Sequence, residues 1–262
     1  MKTFFETIAV GFSIFSSVKM PQVNWNEKNM RYMLLVFPFV GTLIGIICVL
    51  WCIMAGFFPL PDILLGAGLT IIPVMITGGI HLDGYVDTCD ALASHKSPDE
   101  KVDILHDPHI GAFAIIRVCA YFVLIFAVWS VYTVDEGFIL RLILLFTISR
   151  ILSGISVVSF ERTKREDLLH VFYDYSDPKT VRIILIVFDV FSVALFCMTG
   201  ITGVLMATTA HLVFIYYYRQ CKREFGGVSG DQAGWFLVQA EKWMAIVMVT
   251  SQFVLPKIPC FR

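Results

Sequence analysis

Apolar residues run in long blocks along this chain, separated by short polar segments. A helix needs roughly 20 predominantly apolar residues to cross the hydrocarbon core of a membrane. The pattern therefore predicts an all-α polytopic membrane protein of about seven transmembrane helices. The second block is short, and only TGITG separates the fifth from the sixth, so that pair could instead be one helix plus a broken one. The seven blocks are residues 32–56, 62–80, 110–134, 138–159, 181–198, 201–218 and 234–255.

Composition supports the membrane prediction. Hydrophobic residues make up 57% of the 262 residues and charged residues 16%, whereas soluble domains carry about 25% charged residues. We expect membrane lipids to surround the chain, and a net charge of −1 gives no reason to expect a nucleic-acid partner. The seven cysteines form no CxxC pair, so we predict that they are reduced and structural.

The distribution of lysine and arginine predicts the orientation. Loops on the cytoplasmic side of a membrane carry an excess of these residues. With seven spans, fourteen of them fall on one side, and only Lys257 and Arg262 fall on the other. This predicts a cytoplasmic N-terminus and cytoplasmic loops at 81–109, 160–180 and 219–233, in a bacterial or archaeal plasma membrane. The fourteen are Lys2, Lys19, Lys28, Arg31, Lys96, Lys101, Arg162, Lys164, Arg165, Lys179, Arg182, Arg219, Lys222 and Arg223.

Nothing in the sequence divides the chain. It shows no repeat, low-complexity run or linker, so we predict a single domain over residues 1–262. Residues 1–31 combine an apolar stretch with Lys2 and Glu6 and show no small-residue cleavage site. We expect them to form an interfacial or re-entrant segment packed on the bundle rather than a signal peptide.

The segment 78–112 differs from the rest because it holds seven carboxylates and only two lysines. Asp83, Asp87 and Asp90 have the spacing i, i+4, i+7, which places them on one face of a helix. A second helix is predicted to start after Ser97, with Glu100 completing a capping box. It would present Asp103 and Asp107, again at i, i+4.

Clustered aspartates with little compensating charge predict a bound cation. Two carboxylates about 4 Å apart repel by roughly 4 kcal/mol at an effective dielectric of 20. Their hard oxygen ligands suit Mg²⁺ or Mn²⁺ rather than zinc. Metals held there could clamp the attacking and leaving oxygens of a phosphoryl transfer. The alternative is a solvated acidic loop with ordinary helix caps. Histidines in the same segment could also indicate a zinc site, but none of them has the HxxxH spacing of zinc ligands on a helix.

Two further features suit phosphate. The glycine-rich turn at 226–234 could cradle phosphate with its backbone N–H groups, through Gly226, Gly227 and Gly230, and its Asp231 could be another metal ligand. The alternative is a flexible turn between helices. Arg150 lies inside an apolar block, where a charge usually faces a polar cavity, and its guanidinium would bind phosphate in a bidentate manner.

Four motifs of the sequence can be compared with known families: GGIHLDGYVDTCDAL at 78–92, DPHIGAF at 107–113, SR at 149–150 and GGVSGD at 226–231. In these motifs, and over nearly its whole length, the sequence resembles the cobalamin synthase family, the adenosylcobinamide-GDP ribazoletransferases. It departs from the family at His109, where arginine is common. The family's first motif falls here on His81, Asp83, Asp87 and Asp90, its second block begins at Asp107, and its third ends in Gly230 and Asp231.

The resemblance implies a reaction. Adenosylcobinamide-GDP and α-ribazole, or its 5′-phosphate, would be joined with release of GMP. The implied Mg²⁺ ligands are Asp83, Asp87, Asp90 and Asp107. Either Asp107 or His81 would take the proton of the attacking hydroxyl, and Asp107 is the preferred base. Asp103 and Asp231 remain further candidate ligands, and other enzymes of cobalamin assembly are candidate partners.

Two rival functions remain at the level of the sequence. A CDP-alcohol phosphotransferase also uses membrane-embedded aspartates and Mg²⁺, but its Asp-x-x-Asp-Gly-x-x-Ala-Arg pattern is not reproduced after Asp87. A cation transporter would place acids near the middle of several spans. Here only Asp189 and Glu241 lie well inside the apolar blocks, whereas the acidic cluster lies in a predicted loop.

Overall fold

A computed structural model describes residues 2–165 and 167–257, and within them the chain is helical apart from loops and one isolated bridge between Arg162 and Val228. The all-α membrane fold is therefore confirmed. The helices are α1 Lys2–Phe15, α2 Glu27–Met30, α3 Phe37–Phe57, α4 Asp62–Thr77, α5 Ile80–Ala93, α6 Pro98–Ile104, α7 Ala112–Ser130, α8 Phe138–Ser159, α9 Leu168–Tyr175, α10 Pro178–Met198, α11 Ile201–Phe225 and α12 Gly230–Val254, with short 3₁₀ turns at Met33–Leu35 and Leu255–Lys257.

The predicted count of about seven spans is not confirmed. Within the described residues, five helices are long and apolar enough to cross a membrane: α3, α7, α8, α10 and α11. Helices α4 and α5 reach this length and hydropathy only when they are counted together as one span, bent by 95°. Counting that pair brings the number of candidate spans to six at most. Helix α12 has 25 residues and is about 37 Å long at 1.5 Å per residue. It is not among the five because Glu241 and Lys242 lower its hydropathy.

The bend between α4 and α5 comes from two glycines. Gly78 and Gly79 have φ angles of 64° and 82°, in the left-handed region where a residue with a Cβ is strained. The Ser17 backbone N–H donates to the Ile76 carbonyl at 2.7 Å, which ties the segment after α1 to the end of α4. Helix α5 therefore leaves the direction of α4 and turns its acidic face toward α12.

Helices α8 and α12 form the centre of the bundle. In α8, 78% of the most apolar stretch of the helix is buried inside the protein, compared with 17% in α7 and 22% in α10. Helices α7 and α10 therefore face the surroundings with apolar side chains, as expected next to lipid. Helix α12 packs against α5, α8 and α11. Helix α1 packs on α3 and exposes Phe4 and Phe5, each 65% exposed.

The capping prediction for α6 is confirmed. The helix begins at Pro98 after Ser97, whose backbone N–H donates to the Glu100 carboxylate at 3.1 Å. However, α6 ends at Ile104, so the prediction that it also carries Asp107 is wrong. Asp107 precedes a proline, and a residue before proline is disfavoured in helical conformation. Six cysteines in the described part of the chain are free, as predicted, and Cys260 lies outside it.

Candidate functional site

A cavity of about 510 Å³ lies between α5, α9 and α12 and reaches α1, α3 and α8. Four acids of its lining interact with one another and form its acidic end: Asp83, Asp87, Asp167 and Asp231. Three phenylalanines of the lining contact one another and form its apolar end: Phe15, Phe37 and Phe172. The full lining is Ile14, Phe15, Leu34, Phe37, Ile80, His81, Asp83, Asp87, Leu105, His106, Ser153, Val157, Asp167, Leu168, Leu169, Phe172, Gly230, Asp231, Ala233, Gly234 and Leu237.

Two glycines allow α5 and α12 to approach closely at this cavity. A Cβ on Gly84 would lie 2.6 Å from the Asp231 carbonyl oxygen and 2.7 Å from its Cα. A Cβ on Gly234 would lie 2.9 Å from the His81 carbonyl oxygen. Real Cβ atoms do not approach backbone so closely, so both positions need glycine. The sequence analysis assigned no role to Gly84, although it lies between two of the predicted ligands.

The close approach brings Asp231, in the first turn of α12, to the face of α5 that carries Asp83 and Asp87. The Asp87 carboxylate experiences the negative charges of Asp83, Asp231 and Asp90. Among the described residues, no lysine or arginine forms an ion pair with Asp83, Asp87 or Asp231. Three of the predicted ligands therefore share one cavity without a lysine or arginine partner among the described residues.

Asp167 is a fourth acid at this end, and the sequence analysis missed it. Its Oδ2 accepts the Gly230 backbone N–H at 2.7 Å. Its Oδ1 lies 2.7 Å from Nδ1 of His170 and accepts the His170 backbone N–H at 3.2 Å, which caps α9. Asp167 therefore joins the start of α9 to the start of α12. The spacing Asp167-x-x-His170 before an apolar run is a helix-start signal that could have identified it.

The surroundings change the acidity of Asp231. Burial raises the pKa of this carboxyl to about 6, and the negative charges of Asp167 and Asp83 add to the rise, while the nearby His106 opposes it. Both effects disfavour the charged form of an acid. A cation bound at this end of the cavity would reverse the shift, because it favours the carboxylate.

The other predicted acids lie elsewhere. Asp103 is 77% exposed and pairs with Arg165 at 3.2 Å. The Asp107 side chain is 51% exposed and contacts His109, whose backbone N–H and ring hydrogen bonds lower the pKa of Asp107. Asp90 is on α5, as predicted, but its carboxylate packs against Gly111 outside the cavity lining. Asp90 therefore lies near Asp87 but outside the cavity lining, whereas Asp103 and Asp107 pair with other residues outside that lining.

His81 lines the cavity, where the sequence analysis expected a catalytic residue. Its Nε2 is buried and has no hydrogen-bond partner in the described structure. The imidazole lies between the acidic end and the apolar end, with its ring centroid 5.6 Å from that of Phe37. A neutral imidazole carries one nitrogen that can accept a hydrogen bond.

Arg150 lies outside the lining of the cavity. It is 1% exposed, and its Nη1 donates to the Glu241 carboxylate, to Oγ of Ser149 and to the Phe146 carbonyl. The predicted phosphate contact is therefore replaced in this structure by an ion pair between α8 and α12. The sequence analysis placed Glu241 well inside an apolar block, and the structure supplies its partner.

The glycine turn at 226–230 does not present a phosphate cradle. Gly226 ends α11 with a φ of 71°, and a Cβ on Gly227 would lie 2.4 Å from the Arg162 carbonyl oxygen. The Val228 backbone N–H donates to the Glu161 carbonyl at 2.9 Å, so the turn packs against the loop before α9. Only Gly230 reaches the cavity, and its N–H is bound to Asp167. Gly227 is therefore needed for close backbone packing, and Gly226 for its left-handed φ angle.

No three His, Cys, Asp or Glu side chains of residues 2–165 and 167–257 lie close enough together to hold a metal ion as they stand. Asp83, Asp87 and Asp231 nevertheless offer the hard carboxylate oxygens that Mg²⁺ and Mn²⁺ prefer. Their uncompensated charge at one end of a cavity fits a divalent cation in chemistry. The metal site stays a prediction.

Comparison with known proteins identifies the family. A family model described as cobalamin-5-phosphate synthase matches residues 7–249. A protein of Lachnoclostridium phytofermentans named adenosylcobinamide-GDP ribazoletransferase is 38% identical over 247 residues, which cover 94% of each chain. Proteins of the same name from Clostridium botulinum strain Alaska E43 and Listeria monocytogenes are 30% and 27% identical, covering 92% and 87% of this chain and 96% and 91% of their own. No solved structure matches. The resemblance seen in the motifs is confirmed, and the chain belongs to the cobalamin-5-phosphate synthase family.

Proposed function

We propose that this protein joins adenosylcobinamide-GDP to α-ribazole, or to its 5′-phosphate, and releases GMP. The observation that carries the proposal is the 38% identity, over 94% of both chains, to a protein named for that reaction. The cavity supports the proposal, because it combines carboxylates that suit a divalent cation for phosphoryl transfer with apolar side chains that suit an apolar part of a substrate. Neither a CDP-alcohol phosphotransferase nor a cation transporter is among the relatives described above.

The reaction is a displacement at phosphorus. A hydroxyl oxygen of the ribose attacks the phosphorus that carries cobinamide, the bond from that phosphorus to the oxygen of GMP breaks, and GMP leaves. Asp83, Asp87 and Asp231 would hold Mg²⁺, with Mn²⁺ as the alternative. Such an ion supplies charge neutralisation for the diphosphate and lowers the pKa of a bound hydroxyl. The closeness of α5 and α12, set by Gly84 and Gly234, places these acids at one end of the cavity.

His81 is the better candidate to accept the proton of the attacking hydroxyl. Its unpaired Nε2 and its place beside the acids suit a group that hydrogen bonds to a ribose hydroxyl. Asp107 was the preferred base in the sequence analysis, but it lies outside the cavity lining, in contact with His109. We therefore assign the proton transfer to His81.

We further propose that the cavity opens toward the cytoplasm of a bacterial cell. The support is the excess of lysine and arginine in the loops that surround it. In intact cells, a cysteine introduced at Lys164 would stay unlabelled by a membrane-impermeant thiol reagent and would react after permeabilisation. Labelling of intact cells would contradict this orientation.

The reaction is tested with purified protein in detergent, adenosylcobinamide-GDP, α-ribazole and Mg²⁺. We expect release of GMP that needs both substrates and stops when EDTA is added. The absence of GMP with every divalent metal tried would refute the proposed function. The matched control is Asp99→Asn, which should release GMP as wild type does. Asp99 is 82% exposed, pairs at 3.5 Å with the exposed Lys164, and has no role in the proposed reaction.

A further inference from the structure

The apolar end of the cavity is built from aromatic rings that come from three separate helices. Phe15 of α1 stacks on Phe37 of α3 with ring centroids 4.2 Å apart, and it meets Phe172 of α9 edge to face at 5.6 Å. All three side chains are more than nine-tenths buried, yet all three line the cavity. Helices α1, α3 and α9 therefore converge on one aromatic wall.

This aromatic wall of Phe15, Phe37 and Phe172 is continuous with the acidic end. The Phe37 ring lies 5.6 Å from the ring of His81, which is on the same helix as Asp83 and Asp87. A single cavity therefore runs from carboxylates, past an imidazole, to aromatic rings. A ligand that fills it must have an apolar aromatic part at one end and a reacting polar part at the other.

The volume decides which of the two substrates can fill the cavity. Small-molecule pockets commonly enclose about 300–1,000 Å³, and the 510 Å³ found here suits a nucleoside. The other substrate carries a corrin macrocycle and two nucleosides, so it is several times larger than a nucleoside. A cavity of this volume cannot enclose the corrinoid, which would lie largely outside it with its diphosphate near the acids.

The apolar character of the aromatic wall indicates which nucleoside base can bind against it. Guanine presents several hydrogen-bonding groups that need polar partners when buried. Ile14 and Leu169 add apolar side chains to the same lining, and the polar group that contacts the three rings is the His81 imidazole beside Phe37. The base of α-ribazole is a fused aromatic ring with two methyl groups and no N–H donor. Such a base is suited to offset or edge contacts with phenylalanine rings.

Resting on the proposed function, we propose that the aromatic wall binds the base of α-ribazole and sets the specificity for it, with Phe172 as a principal contact. The ribose would then lie beside His81, and its hydroxyl would face the acids. The aromatic wall would contact only α-ribazole. Substitutions in the wall should therefore affect a different substrate from substitutions of residues that act on the diphosphate.

The test is steady-state kinetics of GMP release with each substrate varied in turn. In Phe172→Ala we expect the KM for α-ribazole to rise about tenfold or more, which corresponds to the loss of one good aromatic contact. The KM for adenosylcobinamide-GDP should stay within about twofold of wild type, because the wall does not touch it. The matched control is Phe113→Ala, since Phe113 is 62% exposed on α7 and lies outside the cavity lining.

A second readout guards against a variant that fails to fold. Phe172→Leu and Phe15→Leu keep an apolar side chain of similar size. We expect both to reduce the preference, in kcat/KM, for α-ribazole over the analogue that lacks the two base methyl groups. An unchanged preference together with an unchanged KM for α-ribazole would overturn the inference, as would a rise confined to adenosylcobinamide-GDP. The proposed function fails separately, because in that case wild type itself releases no GMP.

Discussion

The acidic segment 78–112 divides into two halves with opposite surroundings. On α5, Asp83 and Asp87 face a cavity together with Asp231 and have no basic partner in the described structure. On α6, Asp99 and Asp103 lie on the surface and pair with Lys164 and Arg165 at 3.5 and 3.2 Å. Charge density along the sequence is similar in both halves.

The difference shows what separates a functional cluster from a solvated one. In water, a carboxylate is neutralised by exposed lysine or arginine, and such pairs contribute roughly 0–1 kcal/mol. At the cavity the negative charges remain uncompensated and partly buried, which destabilises the folded protein unless a cation binds there. The two explanations that the sequence left open, a metal site and a solvated acidic loop, therefore each fit one half of the segment.

The largest effect should distinguish the two halves directly. Asp87→Asn keeps the shape of the side chain but removes a charge from the cavity, and we expect GMP release to fall by about 100-fold or more, as for other groups that act in a transition state. Asp103→Asn makes the same substitution on α6, at an exposed aspartate paired with Arg165, and should stay within about twofold of wild type. Equal losses in the two variants would contradict the division.

A second prediction concerns the Arg150–Glu241 pair. Arg150→Met leaves the Glu241 carboxylate, which is 13% exposed, without its cationic partner and with only the Ser149 hydroxyl as a donor in the described structure, which should reduce the free energy of unfolding by about 3–5 kcal/mol. Arg150→Met combined with Glu241→Leu should recover most of that loss, because no uncompensated charge remains. Thermal unfolding in detergent measures both. Arg165→Met, which breaks only the exposed pair with Asp103, is the control.

The same double variant also decides whether Arg150 acts on phosphate. Recovered stability with near-normal GMP release would assign the arginine to packing between α8 and α12. Recovered stability with turnover still lost would contradict that assignment and restore the phosphate contact expected from the sequence.

A third prediction concerns the close approach of α5 and α12. Gly84→Ala places a methyl group against the backbone of Asp231, so we expect a loss of about 1–3 kcal/mol of stability and a fall in turnover as the acids separate. Gly56→Ala is the matched control, because a Cβ there meets nothing within 4 Å. A Gly84→Ala protein with wild-type turnover and melting temperature would contradict the role given to this contact.

The smallest effect is a pH dependence. Because the folded protein raises the pKa of Asp231 to about 6, the protonated form stabilises the fold. That contribution is fully present below the unfolded pKa of 3.8 and is lost as the pH rises through about 6. Without divalent metal, the melting temperature of wild type should therefore fall between about pH 5 and pH 7, and that of Asp231→Asn should fall less. Parallel pH curves would contradict this.

Local signals in the sequence predicted much of this arrangement. The spacing of Asp83 and Asp87 placed them on one helix face, and Ser97 with Glu100 marked the start of α6, as observed. Both depend on residues within one or two turns. Hydropathy identified the apolar helices but not the 95° bend after α4, which depends on backbone angles at Gly78 and Gly79.

Contacts between distant parts of the chain could not be predicted from the sequence. The bond from Gly230 to Asp167 and the pair of Arg150 with Glu241 link residues 63 and 91 positions apart. A single sequence shows that each of these residues is polar but not which partner it meets. Arg150 was therefore assigned to phosphate, and Asp167 was overlooked.

The most direct measurement of the central claim, that the cavity acids and not the surface acids hold a divalent metal, is the melting temperature with Mg²⁺ and with EDTA at matched ionic strength. A ligand that binds only the folded state raises this temperature by mass action. We predict a clear Mg²⁺-dependent rise for wild type and for Asp103→Asn, and a much smaller rise for Asp87→Asn. A wild-type rise in Asp87→Asn, or no rise in wild type, would contradict the claim.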